Sequence, residues 1–497
     1  MTNATADAEL LANVHPPDWI NPVAQPMYDL VVLGAGTGGL VAAAGAAGLG
    51  AKVALVERHL MGGDCLNVGC VPSKALIAAA RAWHGARHAT AFGGPVAQGA
   101  GDFGAAMTRM RSLRAGLSPV DSAARFRSLG VDVFFGDGAF VGDRELTVGT
   151  QRLRFKRAVI ATGARATVPP IPGLEGSGYL TNESIFSLES LPPRLLVLGG
   201  GPIGCEMAQA FARFGSVVTI IDRGERLLPH DDADAADIVR SALRRDGVTL
   251  EFTTTVEGIE RQGSAITLAC VRGEERFRVT GDALLVAIGR TANVDGCGLD
   301  AAGVAHDARG VTVNHRLQTS NRRIFAVGDV CSPLQFTHSA DFQARLVLAN
   351  ALFFGRGNYK SLVTPWCTYT APEVAHVGVT PATAAKEGIA IDTITIPFDD
   401  VDRAVLEGED TGFLRIHLKS GSDKILGVTI VDAHAGELIG EAAVAITNGL
   451  GLGALGKTMH PYPTKVEAYR KAADQWRRGK LTPTVKRLMA LWFRWFR

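Results

Sequence analysis

A chain that repeats one glycine turn, each time between a buried strand and a helix, is committed to two nucleotide-binding βαβ units. In the first copy the apolar run from Tyr28 to Leu33 leads into Gly34-Ala35-Gly36-Thr37-Gly38-Gly39 and an alanine-rich helix. A second strand then ends at Glu57, eighteen residues past Gly39. In the second copy Leu195-Leu196-Val197-Leu198 leads into Gly199-Gly200-Gly201-Pro202-Ile203-Gly204. A helix follows over 205–214, and the next strand ends at Asp222, again eighteen residues past the last glycine. The glycines allow a tight turn and close approach of a pyrophosphate, the helix N-terminus meets its charge, and the acid takes ribose hydroxyls. The duplication organises the rest of the chain. Asp222 favours NADH, because a carboxylate there repels the extra phosphate of NADPH; Arg223 and Arg226 stand near enough in sequence to offset that, so NADPH stays open.

The stretch Gly62-Gly63-Asp64-Cys65-Leu66-Asn67-Val68-Gly69-Cys70-Val71-Pro72-Ser73-Lys74 lies between the two turns. Pro72 suits the first turn of a helix, so Cys70 sits just before a helix N-terminus, where backbone dipoles favour a thiolate. Lys74 adds positive charge one turn on. Two cysteines could be half of a zinc site, but zinc wants about four ligands at short spacings. The other five (Cys205, Cys270, Cys297, Cys331, Cys367) are scattered singly. The pair reads as a redox-active disulfide with no metal.

Seven cysteines in 497 residues are too few for a disulfide-built secreted protein, and a formal net charge of +2 gives no reason to expect nucleic acid. The first 26 residues are polar and lack the apolar core of a signal peptide, which reads as a cytoplasmic protein with an arm lying on the surface or crossing to a partner. The uncharged run over 30–51 is long enough to resemble a membrane span. Its glycine turn makes it a strand, a loop and a packed helix instead. Residues 103–129 read as Arg-rich helices with a wetted charged face. Val131 to Phe135 and Arg144 to Phe155 read as strands of a small antiparallel sheet. The buried run Ala158-Val159-Ile160-Ala161 ends on Thr162-Gly163, and Pro169-Pro170-Ile171-Pro172 marks a boundary. Further apolar strands end at Gly289-Arg290 and at Gly328-Asp329, the strand-end position where open α/β sheets bind ligands. From about residue 363 strands and helices alternate without a further nucleotide turn.

In this order the motifs resemble the pyridine nucleotide-disulfide oxidoreductases, the flavoenzyme family of glutathione reductase, dihydrolipoamide dehydrogenase and mercuric reductase, over residues 27–480. The resemblance implies an α/β fold with two Rossmann-like dinucleotide-binding domains, for FAD and NAD(P), plus a C-terminal α+β dimerisation domain. The implied boundaries are an arm at 1–26, FAD-binding parts at 27–165 and 293–362, NAD(P)-binding at 166–292, interface at 363–480 and a basic amphipathic tail at 481–497. Gly34, Gly36, Gly38, Gly39 and Glu57, with Thr162, Gly163 and Asp329, would hold FAD. Gly199, Gly201, Gly204, Asp222 and Gly289 would hold NADH or NADPH. Cys70 would face the flavin, Cys65 would meet a small-molecule acceptor, and Lys74 would pair with Glu206. The protein would be a homodimer.

The departure is at His460-Pro461-Tyr462-Pro463-Thr464-Lys465-Val466-Glu467. Where the glutathione and lipoamide enzymes place a proton-shuttling histidine held by a glutamate, this chain has Tyr462, with Glu467 kept. A phenol donates a proton but is a poor base at neutral pH. His460 is either a substitute shuttle or structural. Tyr462 is closer to mercuric reductase, yet no C-terminal cysteine pair and no N-terminal cysteine-bearing metal domain accompany it. The expected function is electron transfer from NAD(P)H through flavin and Cys65–Cys70 to a disulfide, a soft metal ion or a quinone. The rivals are a redox-sensing flavoprotein and a membrane-associated quinone reductase. The tail 483–497 places Val485, Leu488, Met489, Trp492, Trp495 and Phe496 at helical spacings among Lys486, Arg487, Arg494 and Arg497. It either packs on the dimer or lies at the inner membrane face.

Overall fold

The computed structural model describes residues 2–496; Arg497 of the tail lies outside them. The chain divides into two compact units. One comprises the residues up to Glu225 with Asp246–Leu362, the other Arg226–Arg245 with the chain from Val363 onward.

The first unit opens with helix α1 (Asn3–Val14), capped by the Thr2 side chain accepting from the Thr5 N–H. Its stripe of Ala6, Leu10 and Val14, one helical turn apart, is buried in a core shared with Met61, Leu66 and Phe126. Burial of Leu10 and Val14 alone contributes roughly 3–6 kcal/mol. The arm expected on the surface or across a partner is thus folded onto its own chain. Beyond α1 it continues along the edge strand Val131–Phe135. There Trp19 Nε1 donates to the Val133 carbonyl at 3.1 Å, and Asn21 exchanges two 2.8 Å bonds with Phe135.

Strand β1 (Tyr28–Leu33), helix α2 (Thr37–Gly48) and strand β2 (Val53–Glu57) follow. β1 pairs in parallel with β2 and with the strand Gln151–Ile160, which is flanked in turn by Ile324–Ala326. Buried on both faces, these strands read as unbroken apolar runs. Val131–Phe135 pairs in parallel with β2. It is an edge of this main sheet and not part of a small antiparallel one, because its fully apolar face packs with β2 over the arm. The strand Gln151–Ile160 is instead lengthened by the antiparallel hairpin Gly138–Gly142 and Glu145–Val148. The second parallel sheet runs Thr249–Glu251, Val217–Ile221, Arg194–Leu198, Ala283–Val286, with a three-stranded antiparallel sheet beyond it.

After β2 come the short helix α3 (Gly63–Asn67), helix α4 (Cys70–Arg87) and helix α5 (Phe103–Leu117). Of the three arginines of α5 only Arg109 is exposed, so the helix is not simply a wetted charged face. Arg111 and Arg114 keep only 5% and 12% of their side chains exposed and pair with Asp7 of α1.

The second unit is built on a five-stranded antiparallel sheet in the order Trp366–Thr368, Glu373–Gly378, Ile425–Asp432, Phe413–Lys419, Ile391–Pro397, packed against the helices Ala435–Thr447 and Glu467–Gly479. The segment Arg226–Arg245 lies inside the stretch expected to bind NAD(P), but it belongs to this unit. Arg415 on the sheet binds Asp232 at 3.0 Å and Asp234, and Trp366 donates to Asp231 at 2.9 Å. The tail helix Pro483–Trp495 buries none of its described side chains.

Candidate active site

The two glycine turns are built alike. A Cβ on Gly34 would sit 2.4 Å from the Ala161 carbonyl oxygen, and one on Gly39 would sit 1.8 Å from that of Gly34. In the second turn the equivalent distances are 2.5 Å, Gly199 to Ala287, and 2.0 Å, Gly204 to Gly199. Those glycines are demanded by the fold. The middle ones are not. Gly36 and Gly201 have extended backbones open to any residue, and a Cβ there would come no nearer than 3.8 Å to anything at Gly36 and would meet nothing within 4 Å at Gly201. The space they keep is therefore space for a ligand, as close approach of a pyrophosphate to a helix N-terminus requires. The turns fit dinucleotides. Gly38 serves packing instead, since a Cβ would meet Val327 at 2.9 Å.

Each acid holds its own turn. Glu57 accepts the Ala35 and His59 N–H groups, both at 2.7 Å, and burial raises its carboxyl pKa against those bonds. Asp222 accepts from Gly200 at 2.5 Å and Gly224 at 2.6 Å. Arg226 turns to the carbonyls of Asp231 and Pro229, both at 2.9 Å, which leaves Arg223 as the cation beside Asp222. Thr162 and Asn293 bind each other's carbonyls at 2.7 and 2.9 Å, with Gly163 (φ +67°) accepting from the Asn293 N–H at 2.9 Å. That staple joins the two strands crossing between the nucleotide units. Gly289 (φ +125°) accepts from Thr167 at 3.0 Å in the same crossing. Asp329 follows the strand Ile324–Ala326, with a pKa raised by burial and the Arg290 guanidinium 3.4 Å away. Arg290 also pairs with Asp64, next to Cys65.

The cysteine stretch runs under the first turn. The Gly62 N–H donates to the Ala35 carbonyl at 2.8 Å, and a Cβ on Gly63 would sit 2.7 Å from Gly36 Cα. Cys65 lies on α3 and Cys70 is the first residue of α4; both are free thiols. A hydrogen bond from Cys65, one from Thr337 at 3.3 Å and the Lys74 charge lower the Cys70 pKa from its ordinary value to about 6. The same bond to Cys70, with burial, raises that of Cys65. The contact between the two sulfurs thus favours the thiolate at Cys70 and the thiol at Cys65. Lys74 Nζ lies 2.8 Å from Glu206 Oε2, and Glu206 is buried on the helix Pro202–Phe214 that follows the second glycine turn.

In the C-terminal unit, Tyr462 is 70% exposed and its hydroxyl donates to Asp402 at 2.8 Å. That bond raises its pKa. Glu467 does not reach it. It pairs with Arg470, and its second oxygen is buried with no hydrogen-bond partner among the described residues. His460 is held 3.0 Å from Glu441 with its side chain 7% exposed, and its Nδ1 is buried with no hydrogen-bond partner among the described residues. Lys465, 5% exposed, anchors the same loop through Asp432 at 3.0 Å and Glu409 at 2.6 Å.

Thr337, Arg290, Asp402 and Lys465 went unnoticed as site residues in the sequence. Arg290 carried a signal, a charge a few positions after a buried apolar run; Thr337 carried none, because its tie to Cys70 spans 267 positions. Among the described residues no cluster of His, Cys, Asp and Glu could hold a metal, and no helix is long and apolar enough to cross a membrane.

A family model described as pyridine nucleotide-disulphide oxidoreductase matches residues 28–344, and that family's dimerisation domain matches 364–473. A mercuric reductase of Streptomyces lividans is 37% identical over 459 residues, covering 90% of this chain and 96% of that protein. A dihydrolipoyl dehydrogenase of Bacillus subtilis (strain 168) is 32% identical, covering 90% and 97%. Among solved structures, the HOCl-induced flavoprotein disulfide reductase RclA from Escherichia coli superposes with a TM-score of 0.79 at 28% identity, covering 90% of this chain and 99% of that one. Enzymes of this kind use FAD and NAD(P)H and pair through the C-terminal domain. The chain belongs to the pyridine nucleotide-disulphide oxidoreductases, as a homodimeric flavin disulfide oxidoreductase.

Proposed function

We propose that the protein takes electrons from NADH and delivers them, through the Cys65–Cys70 pair, to a small electrophile that meets Cys65. The observation that carries this is the placement of the two sulfurs: Cys70 opens α4 with the Thr337 hydroxyl at 3.3 Å and the Lys74 charge favouring its thiolate, and Cys65 lies beside it on α3. Gly34, Gly36, Gly39, Glu57 and Asp329 would hold FAD, which would supply two-electron relay between nicotinamide and disulfide. NADH binds at Gly199, Gly201 and Gly204, with its ribose on Asp222.

The proton count follows from the thiols. Two electrons and one proton open the disulfide to Cys65 thiol and Cys70 thiolate. Returning the electrons to a disulfide acceptor, which becomes two thiols, or to a quinone, which becomes a hydroquinone, re-forms the Cys65–Cys70 bond and needs one proton more. Tyr462 of a second copy is the donor of that proton, supported by its exposure, its phenol and its place in the dimerisation domain. Mixed dimers test this. Cys65→Ser and Tyr462→Phe chains, each inactive alone, should regain turnover together at the one intact site. Failure of the mixed dimer, with both variants folded and flavin-loaded, rejects the shared site.

The tail favours a second reading, an acceptor at an anionic membrane face. Leu488, Trp492 and Trp495 of the helix Pro483–Trp495 are 62%, 58% and 87% exposed. Lys486, Arg487 and Arg494 occupy its narrower opposite face, and no acid follows Asp474. A basic helix with tryptophans suits an interface and is too short to span one. The full chain should float with vesicles of phosphatidylcholine and phosphatidylglycerol while a chain ending at Thr482 stays behind; equal behaviour of the two rejects it.

A further inference from the structure

The arm over residues 2–27 lies ahead of the matched family region, which begins at 28. Its contacts converge on one place. The Val14 carbonyl, at the end of α1, accepts the Met61 N–H at 3.0 Å, and the ring of His15 reaches the His59 carbonyl. Near the start of α1, Asp7 Oδ1 binds Arg114 Nη2 at 3.0 Å, and the other amino group of Arg114 donates to the Asn67 carbonyl at 2.9 Å. Asn67 closes the loop on itself, donating from its side chain to the carbonyls of Met61 at 3.0 Å and Gly63 at 2.9 Å. The chain of bonds is a ring: Val14, Met61, Asn67, Arg114, Asp7 and back along α1. Cys65 lies within the segment it encloses.

We infer that α1 is a clamp that positions the redox-active loop, with Asp7, Val14 and Arg114 as positioning residues acting on Cys65 through Met61 and Asn67. The physical reason is that between the end of β2 at Glu57 and the start of α4 at Cys70 the loop carries only one short helix of its own. α3 is five residues long and begins at Gly62 and Gly63, both at positive φ, so the loop's own backbone does not define where Cys65 sits. Arg114 is buried, and burial lowers its pKa while the Asp7 carboxylate opposes that. Removing the carboxylate leaves a buried cation whose best compensation is to leave the Asn67 carbonyl for water. Because Gly62 and Gly63 rest on the first glycine turn, a loosened loop would also loosen the roof of that turn. This inference rests on reading Cys65 and Cys70 as the redox pair, but the packing it describes can be measured without turnover.

Amide hydrogen exchange in the flavin-loaded dimer tests it, comparing the wild type with Asp7→Asn and with a chain beginning at the natural Met27. Exchange over 61–67 should rise by about tenfold or more in Asp7→Asn, the loss expected for one charge-assisted bond, while exchange over 199–204 stays unchanged. In the same variant, alkylation of Cys65 in the reduced protein should speed up and NADH-dependent flavin reduction should keep its rate, with reoxidation by the acceptor slowed. Unchanged exchange over 61–67 in Asp7→Asn overturns the inference, whether or not the shortened chain folds. So does a rise spread evenly over both glycine turns, because that is general destabilisation and not positioning. If exchange rises as expected but no disulfide forms between Cys65 and Cys70 on oxidation, the clamp stands and the redox reading falls.

Discussion

In the first glycine turn a Cβ on Gly36 would lie 3.8 Å from Gly63 Cα and Ala35 is hydrogen-bonded to Gly62, whereas in the second turn Gly201 faces open space. The acids differ in the same sense: Glu57 is 9% exposed, while Asp222 is only partly covered. The glycine geometry is otherwise nearly superimposable, with the same two carbonyl clashes waiting for a Cβ. One nucleotide site is thus roofed by the redox loop and built into the core, and the other is open at its middle glycine. A roofed site suits a cofactor that stays and an open one suits a cofactor that comes and goes, as two electrons per visit require. On the proposed reading the surroundings, and not the turn, separate a resident flavin from an exchangeable nicotinamide.

Alanine at the last glycine of each turn should break this comparison most strongly. A Cβ meets backbone at 1.8 Å in one and 2.0 Å in the other, a contact no rotamer relieves. Gly39→Ala should yield protein without flavin, read from its absorbance after purification. Gly204→Ala should keep its flavin and be reduced by dithionite but not by NADH. Equal flavin loss in both would show that the two turns are not separable. A smaller effect is expected at Asp222. With Arg226 committed to backbone carbonyls, replacing Asp222 by alanine should lower kcat/KM for NADH by about tenfold, the worth of one charge-assisted pair, and move preference toward NADPH. A wild type that prefers NADPH would mean that Arg223 outweighs the carboxylate.

The smallest expected change sharpens the link between the roof and the second glycine turn. Lys74 helps hold Cys70 as a thiolate and is itself tied to Glu206, on the helix that opens the second turn. The thiolate is the form present above its pKa of about 6 and is lost as the pH falls through that value. Alkylation of the reduced protein at Cys70 should therefore show a midpoint near 6. Lys74→Met should raise it by about one unit, since removing an attractive charge favours the neutral thiol. An unmoved midpoint would assign the shift to Cys65 and Thr337 alone.

The turns, both acids and the cysteine pair were legible in the sequence because each is a local pattern with fixed spacing. The roof was not, because nothing local announces that Gly63 will rest on Gly36. The arm was misread for a related reason. Ala6, Leu10 and Val14 make a short stripe in a polar segment, and Arg111 and Arg114 look like solvent charges until Asp7 arrives from more than a hundred residues upstream. Long-range ion pairs leave no period to find. Arg226–Arg245 shows the same limit, since the carboxylates that fix it in the C-terminal unit answer Arg415, far along the chain. Tyr462 was legible as a departure from the family, but its bond to Asp402, sixty residues away, was not.

The measurement that bears most directly on the central claim is an anaerobic titration of the oxidised, flavin-loaded dimer. If electrons pass from flavin to the Cys65–Cys70 disulfide, uptake should be about four electrons per subunit, two for each centre. A long-wavelength thiolate–flavin absorbance should appear midway. Cys70→Ser should abolish that band, and Cys65→Ser should show it from the start. Uptake of about two electrons by the wild type, with no band at any stage, would contradict the account.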